Sequence, residues 1–220
     1  MIRVGIADSG VNATAGVNVV ARADFLVAAT PPSLREDRRD PAGHGSALAA
    51  VIAAAGEVEL LDARIFDASL RTSAAQAAAA IDWLVCQGAR ILNLSFGLRE
   101  DRAVLREACA RAVDAGVLIV ASAPARGDPV FPASYPGVLR TTGDARCAAG
   151  EISWLGTAQS DAGGAPRTPC DRVAGASAGC AHVCAALAQL MTLHPRAARD
   201  DVLDALKRNA RYHGPERRSS

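Results

Sequence analysis

The chain has 220 residues, half of them hydrophobic and 21% charged, and its 24 Lys and Arg against 23 Asp and Glu leave a formal charge of +1. That composition fits one globular domain with an ordinary core and excludes intrinsic disorder. The balanced charge, with short Arg clusters only at Arg38-Arg39 and Arg217-Arg218, excludes a broad nucleic-acid face, and the apolar runs stop short of the roughly 20 residues of a membrane span.

Met1 leads straight into a buried strand at 2–7, with no charged-then-apolar leader before it. A solvated loop follows over 27–43, marked by Pro31-Pro32 and the charged run from Arg35 to Asp40. Hydrophobic periodicity then predicts a helix at 45–55, a strand at 58–65, a helix at 73–87, a strand at 90–94, a helix at 101–115 and a strand at 117–122. Gly88 and Gly116 close two of those helices. Pro124, Pro129, Pro132 and Pro136 make 124–136 irregular, and a strand at 138–142 with helices at 178–193 and 197–209 completes the pattern. Repeated strand and helix predict an α/β fold of three layers, a mainly parallel sheet with helices on both faces. No repeat or linker divides the chain, so 1–209 reads as one domain and 210–220 as a polar, frayed tail.

Cys86, Cys109, Cys147, Cys170, Cys180 and Cys184 include no CxxC pair, and no export signal precedes them. They read as reduced, buried small hydrophobes of a cytoplasmic protein. Cys180 and Cys184 share a helix face, which is too few ligands for a structural zinc site, so no metal and no cofactor is expected.

In parallel α/β sheets reactive groups gather at the carboxyl ends of strands. Asp8 closes the first strand, His44 opens a helix in Gly43-His44-Gly45-Ser46, and Ser177 opens another in Gly175-Ala176-Ser177-Ala178-Gly179. Taken singly, the Asp reads as a turn or cap, the His as structural and the Ser as an N-cap. Their order and context resemble the subtilisin-like serine proteases, whose triad runs Asp, His, Ser along the chain. The resemblance extends from residue 2 to about 209 and includes Ile91-Leu92-Asn93-Leu94-Ser95-Phe96-Gly97 and Tyr135-Pro136-Gly137-Val138.

The resemblance implies a subtilisin-like fold and a serine endopeptidase, with Ser177 as nucleophile, His44 as general base and Asp8 orienting His44. The Ser177 N–H becomes an oxyanion donor, and His182 a packing histidine without a catalytic role. Ser95, Phe96 and Gly97 are implied as one wall of the pocket for the side chain before the scissile bond, Ser122, Ala123 and Pro124 as the other, and Val130 as its floor. The chain departs from the family at Ala125, where an oxyanion-donating Asn is usual; Arg126 is a candidate substitute donor, a rim charge favouring an acidic client, or a plain solvated charge. Ala176 replaces the usual Thr. The calcium-binding loop of secreted relatives is missing between the first helix and residue 58, and no prodomain precedes Asp8, so a compact intracellular member is expected. Its partner is expected to be one dedicated peptide or precursor-protein client, such as the leader of a modified peptide, with accessory maturation proteins as candidate helpers. The maturation protease of quinohemoprotein amine dehydrogenase biogenesis is a relative of that kind. The alternative is a catalytically impaired fold kept as a peptide-binding or scaffold module.

Overall fold

The computed structural model describes residues 1–14, 16–26, 39–67 and 69–216. Most of the predicted 27–43 loop, with Pro31-Pro32 and Arg35 to Arg38, lies outside the described residues, as do Arg217-Arg218. The described elements are, in order, β1 (Ile2–Asp8), β2 (Val19–Asp24), α1 (His44–Ala53), β3 (Val58–Arg64), α2 (Ala74–Cys86), β4 (Ile91–Leu94), α3 (Ala103–Asp114) and β5 (Leu118–Ser122). They continue with β6 (Val138–Gly143), β7 (Ile152–Trp154), β8 (Ala162–Gly164), α4 (Ala176–Leu193), α5 (Arg199–Arg208) and β9 (Tyr212–His213). Every strand and helix predicted from the sequence is present, with ends within two residues of those expected.

The strands form one sheet in the order β2-β3-β1-β4-β5-β6-β8-β7-β9, parallel throughout except for the β7–β8 pair. Strands β1, β4 and β5 are buried along almost their whole length because helices cover both sides. Leu48, Ile52, Cys180, Leu187 and Leu206 of α1, α4 and α5 meet Val4 and Ile6 on one face. Ile81, Leu84, Leu105 and Cys109 of α2 and α3 meet Leu61 and Leu92 on the other. The helix α2 starts where its geometry dictates, with the Ser73 hydroxyl accepting Gln76 N–H (3.2 Å) and Gln76 Oε1 accepting Ser73 N–H (2.8 Å). At 18 residues, α4 is long and apolar enough to cross a membrane by length and composition, yet over half of it is buried between its neighbours as the central helix of the fold.

Two glycines let α1 and α4 approach the sheet closely. A Cβ at Gly45 would stand 2.3 Å from the Gly10 carbonyl oxygen, and one at Gly179 would stand 2.0 Å from that of Thr142. No side chain fits at either point, so the starts of both helices are drawn against the strand ends.

Three differences from the sequence reading concern edges and exposure. The tail is paired in part: β9 runs parallel to β7, Arg211 N–H donates to the Ile152 carbonyl (2.7 Å), and Arg146 lies over the Tyr212 ring. Main-chain pairing, which a polar sequence does not advertise, fixes those residues. Strands β2, β7 and β8 are also present, and β8 is Ala-Gly-Gly, which carries no alternating pattern. All six cysteines are free, but Cys86 and Cys170 are exposed where burial was expected. Cys86 sits on the outer side of the last turn of α2, and Cys170 in the loop before α4.

Candidate active site

Strands β1, β4 and β5 run parallel, so their carboxyl ends share one edge of the sheet. Asp8 ends β1, Ser95 follows β4 and Ser122 ends β5. His44 is the first residue of α1, and Ser177 is the second of α4, the helix packed beside it.

Asp8 is fully buried, and its Oδ1 accepts hydrogen bonds from Ser9 N–H and His44 Nδ1–H, both at 2.7 Å. That bond fixes the imidazole tautomer and leaves Nε2 free to take a proton. Asp8 Oδ2 is buried without a partner among the described residues.

A second carboxylate stands behind this pair. Asp40, only 3% exposed, accepts the Ser9 hydroxyl (2.8 Å) and Gly43 N–H (2.8 Å) on Oδ1, and Ser46 N–H (2.8 Å) on Oδ2. It thereby satisfies donors at the start of α1, where Gly43 as the cap residue has no side chain to offer. Asn12 clamps Asp40 by accepting its N–H (2.9 Å) and donating to its carbonyl (3.1 Å). Arg39 anchors the same segment, donating from Nε to Asp62 Oδ2 at 2.8 Å, and Arg22 Nη1 reaches the same oxygen at 3.0 Å. Burial raises the Asp62 pKa above the ordinary carboxylate value despite both guanidiniums.

Burial pulls the His44 pKa down, but the hydrogen bond and charge of Asp8, with the charge of Asp40, outweigh it, and the value ends above the histidine norm. His44 also lines a groove of about 460 Å³ with Ser95, Phe96, Gly97 and Arg71.

Ser177 is half-buried, and its hydroxyl donates to the Ser95 carbonyl at 3.5 Å. No hydrogen bond joins Ser177 to His44 among the described residues. Active sites without substrate often hold this contact open. The helix α4 has Gly175 as its cap and no side-chain cap bond, and the Ser177 N–H lies in its first turn, at the positive helix end. Ser122 and Ala123 are buried at the end of β5, while Ala125 and Arg126 are exposed, and the Arg126 side chain has no partner among the described residues.

Val130 stands between the two segments expected as pocket walls. A Cβ at Gly97 would lie 3.0 Å from its side chain, and Val130 also lines a cavity of about 110 Å³ with Ala123 and Pro124. Main-chain bonds between Leu98 and Phe131 (2.7 and 2.9 Å) lock this arrangement. His182 lies away from the cluster: it is buried, its Nε2 is 3.1 Å from the Arg167 carbonyl, and burial lowers its pKa.

Three site residues escaped the sequence reading. Asp40 sits at the end of an Arg-rich run that reads as solvated, and only its place four residues before His44 hints otherwise. Ser9 follows Asp8 like any turn residue. Asn93 lies inside a strand, yet its Nδ2 donates to Ser95 Oγ (2.9 Å) and fixes the groove wall.

The model of the subtilase family matches residues 1–219, nearly the whole chain. The chain belongs to the subtilase family. This subtilase is 28% identical over 149 residues to the thermostable alkaline protease of Halalkalibacterium halodurans, a match covering 62% of the chain and 40% of that protein. It is 27% identical over 150 residues to subtilisin Savinase of Lederbergia lenta, covering 63% of the chain and 54% of that protein. The subtilase thus spans about two fifths to one half of the length of these curated relatives. A solved cold-adapted subtilisin-like serine proteinase shares its fold, with a TM-score of 0.67 and 18% identity over 92% of this chain and 80% of that one. A point mutant of the protease domain of PatA does so as well, with a TM-score of 0.64 and 19% identity over 93% and 84%.

Replacing Asp40 tests how far this subtilase depends on the second carboxylate. Asp40→Ala orphans donors at the start of α1, and each buried orphan costs about 1–3 kcal/mol. A urea melt at neutral pH should show at least that loss; an unchanged midpoint would mean that water replaces the carboxylate at no cost.

Proposed function

We propose that the chain is a serine endopeptidase in which Ser177 attacks the scissile carbonyl, His44 takes its proton and Asp8 holds the imidazole. The observation that carries this reading is the buried Asp8–His44 bond of 2.7 Å, set in the same groove as Ser95, whose carbonyl receives the Ser177 hydroxyl. In the first step the Ser177 proton passes to His44 Nε2 while Oγ bonds the carbonyl carbon. The resulting oxyanion meets the Ser177 N–H and the positive end of α4. His44 then returns the proton to the leaving amine, and water repeats the sequence to release the acyl group.

The missing amide at Ala125 leaves the oxyanion one donor short, so that either Arg126 substitutes for it or turnover is slow. Loss of one such donor costs about 10²–10³ in turnover, a magnitude known from a subtilisin itself. Arg126, exposed and unpartnered, is the side chain on that wall with donors to offer. Slow turnover suits a single peptide or precursor client, cleaved in concert with accessory maturation proteins, better than bulk digestion. Six free cysteines support a reducing, cytoplasmic setting. A second reading, a catalytically impaired fold that binds peptide, is favoured by Ala125 and by Ala176 in place of the usual Thr.

A fluorophosphonate probe separates the two readings. The enzyme takes up one equivalent at Ser177, and His44→Ala, with its fold intact, takes up none. Labelling that persists in His44→Ala, or never occurs in the wild type, contradicts the enzyme reading.

The pocket before the scissile bond is narrow for the same reason that Val130 touches Gly97. Overfilling a packed site costs about 1–3 kcal/mol, roughly a 10- to 100-fold preference for Gly or Ala. A peptide library cleaved by the wild type should show that preference, and Val130→Gly should relax it. Preferred cleavage after Phe or Leu would contradict the placement of Val130.

A further inference from the structure

The groove that holds His44 continues into a second, of about 440 Å³, with Thr72 and Leu98 lining both. The charged side chains along this path, besides His44, are Arg71, Arg99, Arg102 and Glu100. The acidic member of that set is already engaged, for Glu100 Oε2 pairs with Arg102 Nη2 at 2.5 Å. Arg71 and Arg99 are exposed, and neither side chain makes an ion pair or hydrogen bond among the described residues. Asp67, the acid nearest Arg71 in the chain, is occupied by Ser69 N–H (2.8 Å), the Ser69 hydroxyl (2.6 Å) and the main-chain N–H of Arg71 (3.3 Å). The four charges lining this path besides His44 sum to +2, and Asp67, outside the lining, offsets part of the Arg71 charge.

Elsewhere many of the described arginines pair with carboxylates, while Arg64, Arg90, Arg126, Arg172, Arg196 and Arg208 do not. Arg3, Arg22, Arg39, Arg106, Arg111, Arg140 and Arg146 each have a carboxylate partner. A single unpaired surface arginine means little; two that line one continuous groove ending at His44 make a field of one sign along it.

We infer that the client is acidic on the side preceding the scissile bond, with carboxylates of an extended segment meeting Arg71 and Arg99. The inference rests on the endopeptidase reading for which bond is cut, but its test is a binding measurement and needs no turnover. Exposed ion pairs are worth about two- to fivefold each, so two pairs together should favour an acidic segment by roughly tenfold. Salt should erode that preference, since exposed charges are screened over about 8–10 Å at 0.1–0.15 M.

The experiment uses the full chain carrying Ser177→Ala and a fluorescent peptide of Glu and Ala residues, with its Gln and Ala counterpart as the neutral isostere. Fluorescence anisotropy at low salt should show the Glu peptide binding about tenfold more tightly, with the gap narrowing as salt rises. Adding Arg71→Ala and Arg99→Ala should bring the two affinities together, and a thermal melt should confirm that these exposed positions leave the fold intact. Equal or tighter binding of the Gln peptide, binding of neither, or a preference that survives the double arginine change overturns the inference. Failure of phosphonate labelling at Ser177 is a separate outcome that removes the enzyme reading and leaves this binding preference to be judged by itself.

Discussion

The bond from His44 Nδ1 to Asp8 Oδ1 ties the end of β1 to the start of α1, and the rest of the site is arranged to make it possible. A carboxylate without solvent is costly unless its oxygens are hydrogen-bonded. Ser9 N–H and His44 supply that for Asp8 Oδ1, and Ser9 Oγ lies at 3.1 Å from the same oxygen. Because the folded protein holds protons on His44 more tightly than the unfolded chain, the bond adds stability below the free histidine pKa. That increment fades as pH rises through the folded value.

Asp40 extends the same logic outward. It has no place in proton transfer, yet it caps α1, contacts Ser9 and adds a second negative charge near the imidazole. Its own position comes from Arg39, whose partner Asp62 lies on β3, and from the close approach of Gly10 to the Arg39 carbonyl, where a Cβ would stand 2.6 Å away. A chain of contacts thus runs from a neighbouring strand through Arg39 and Asp40 to the base. On the other side of the site, Gly179 seats α4 on Thr142 and so sets the height of Ser177.

Much of this was legible in the sequence because strong local signals agreed with one another. Apolar strands such as Ile91–Leu94 and the Ala-rich helices follow from period and punctuation, whereas Asp8, His44 and Ser177 stood out through the family resemblance of their order and context. Strands β8 and β9 were not legible, since Ala-Gly-Gly and Tyr-His owe their conformation to their neighbours rather than to their own residues. Asp40 was hidden for a related reason: a carboxylate in a charged run reads as solvated until the fold buries it. Val130 is the intermediate case: the structure packs it beside Gly97, and whether it narrows a substrate pocket is part of the proposed function.

Everything proposed for the site depends on His44 being held by Asp8 and kept basic by two carboxylates. Proton NMR of the full chain reads both at once. The expected result is a low-field Nδ1–H resonance, lost in Asp8→Asn, and a His44 titration midpoint above the free histidine value of about 6.5. A midpoint at or below that value, with no low-field proton at any pH, would show that burial wins over the carboxylates and would contradict the central claim.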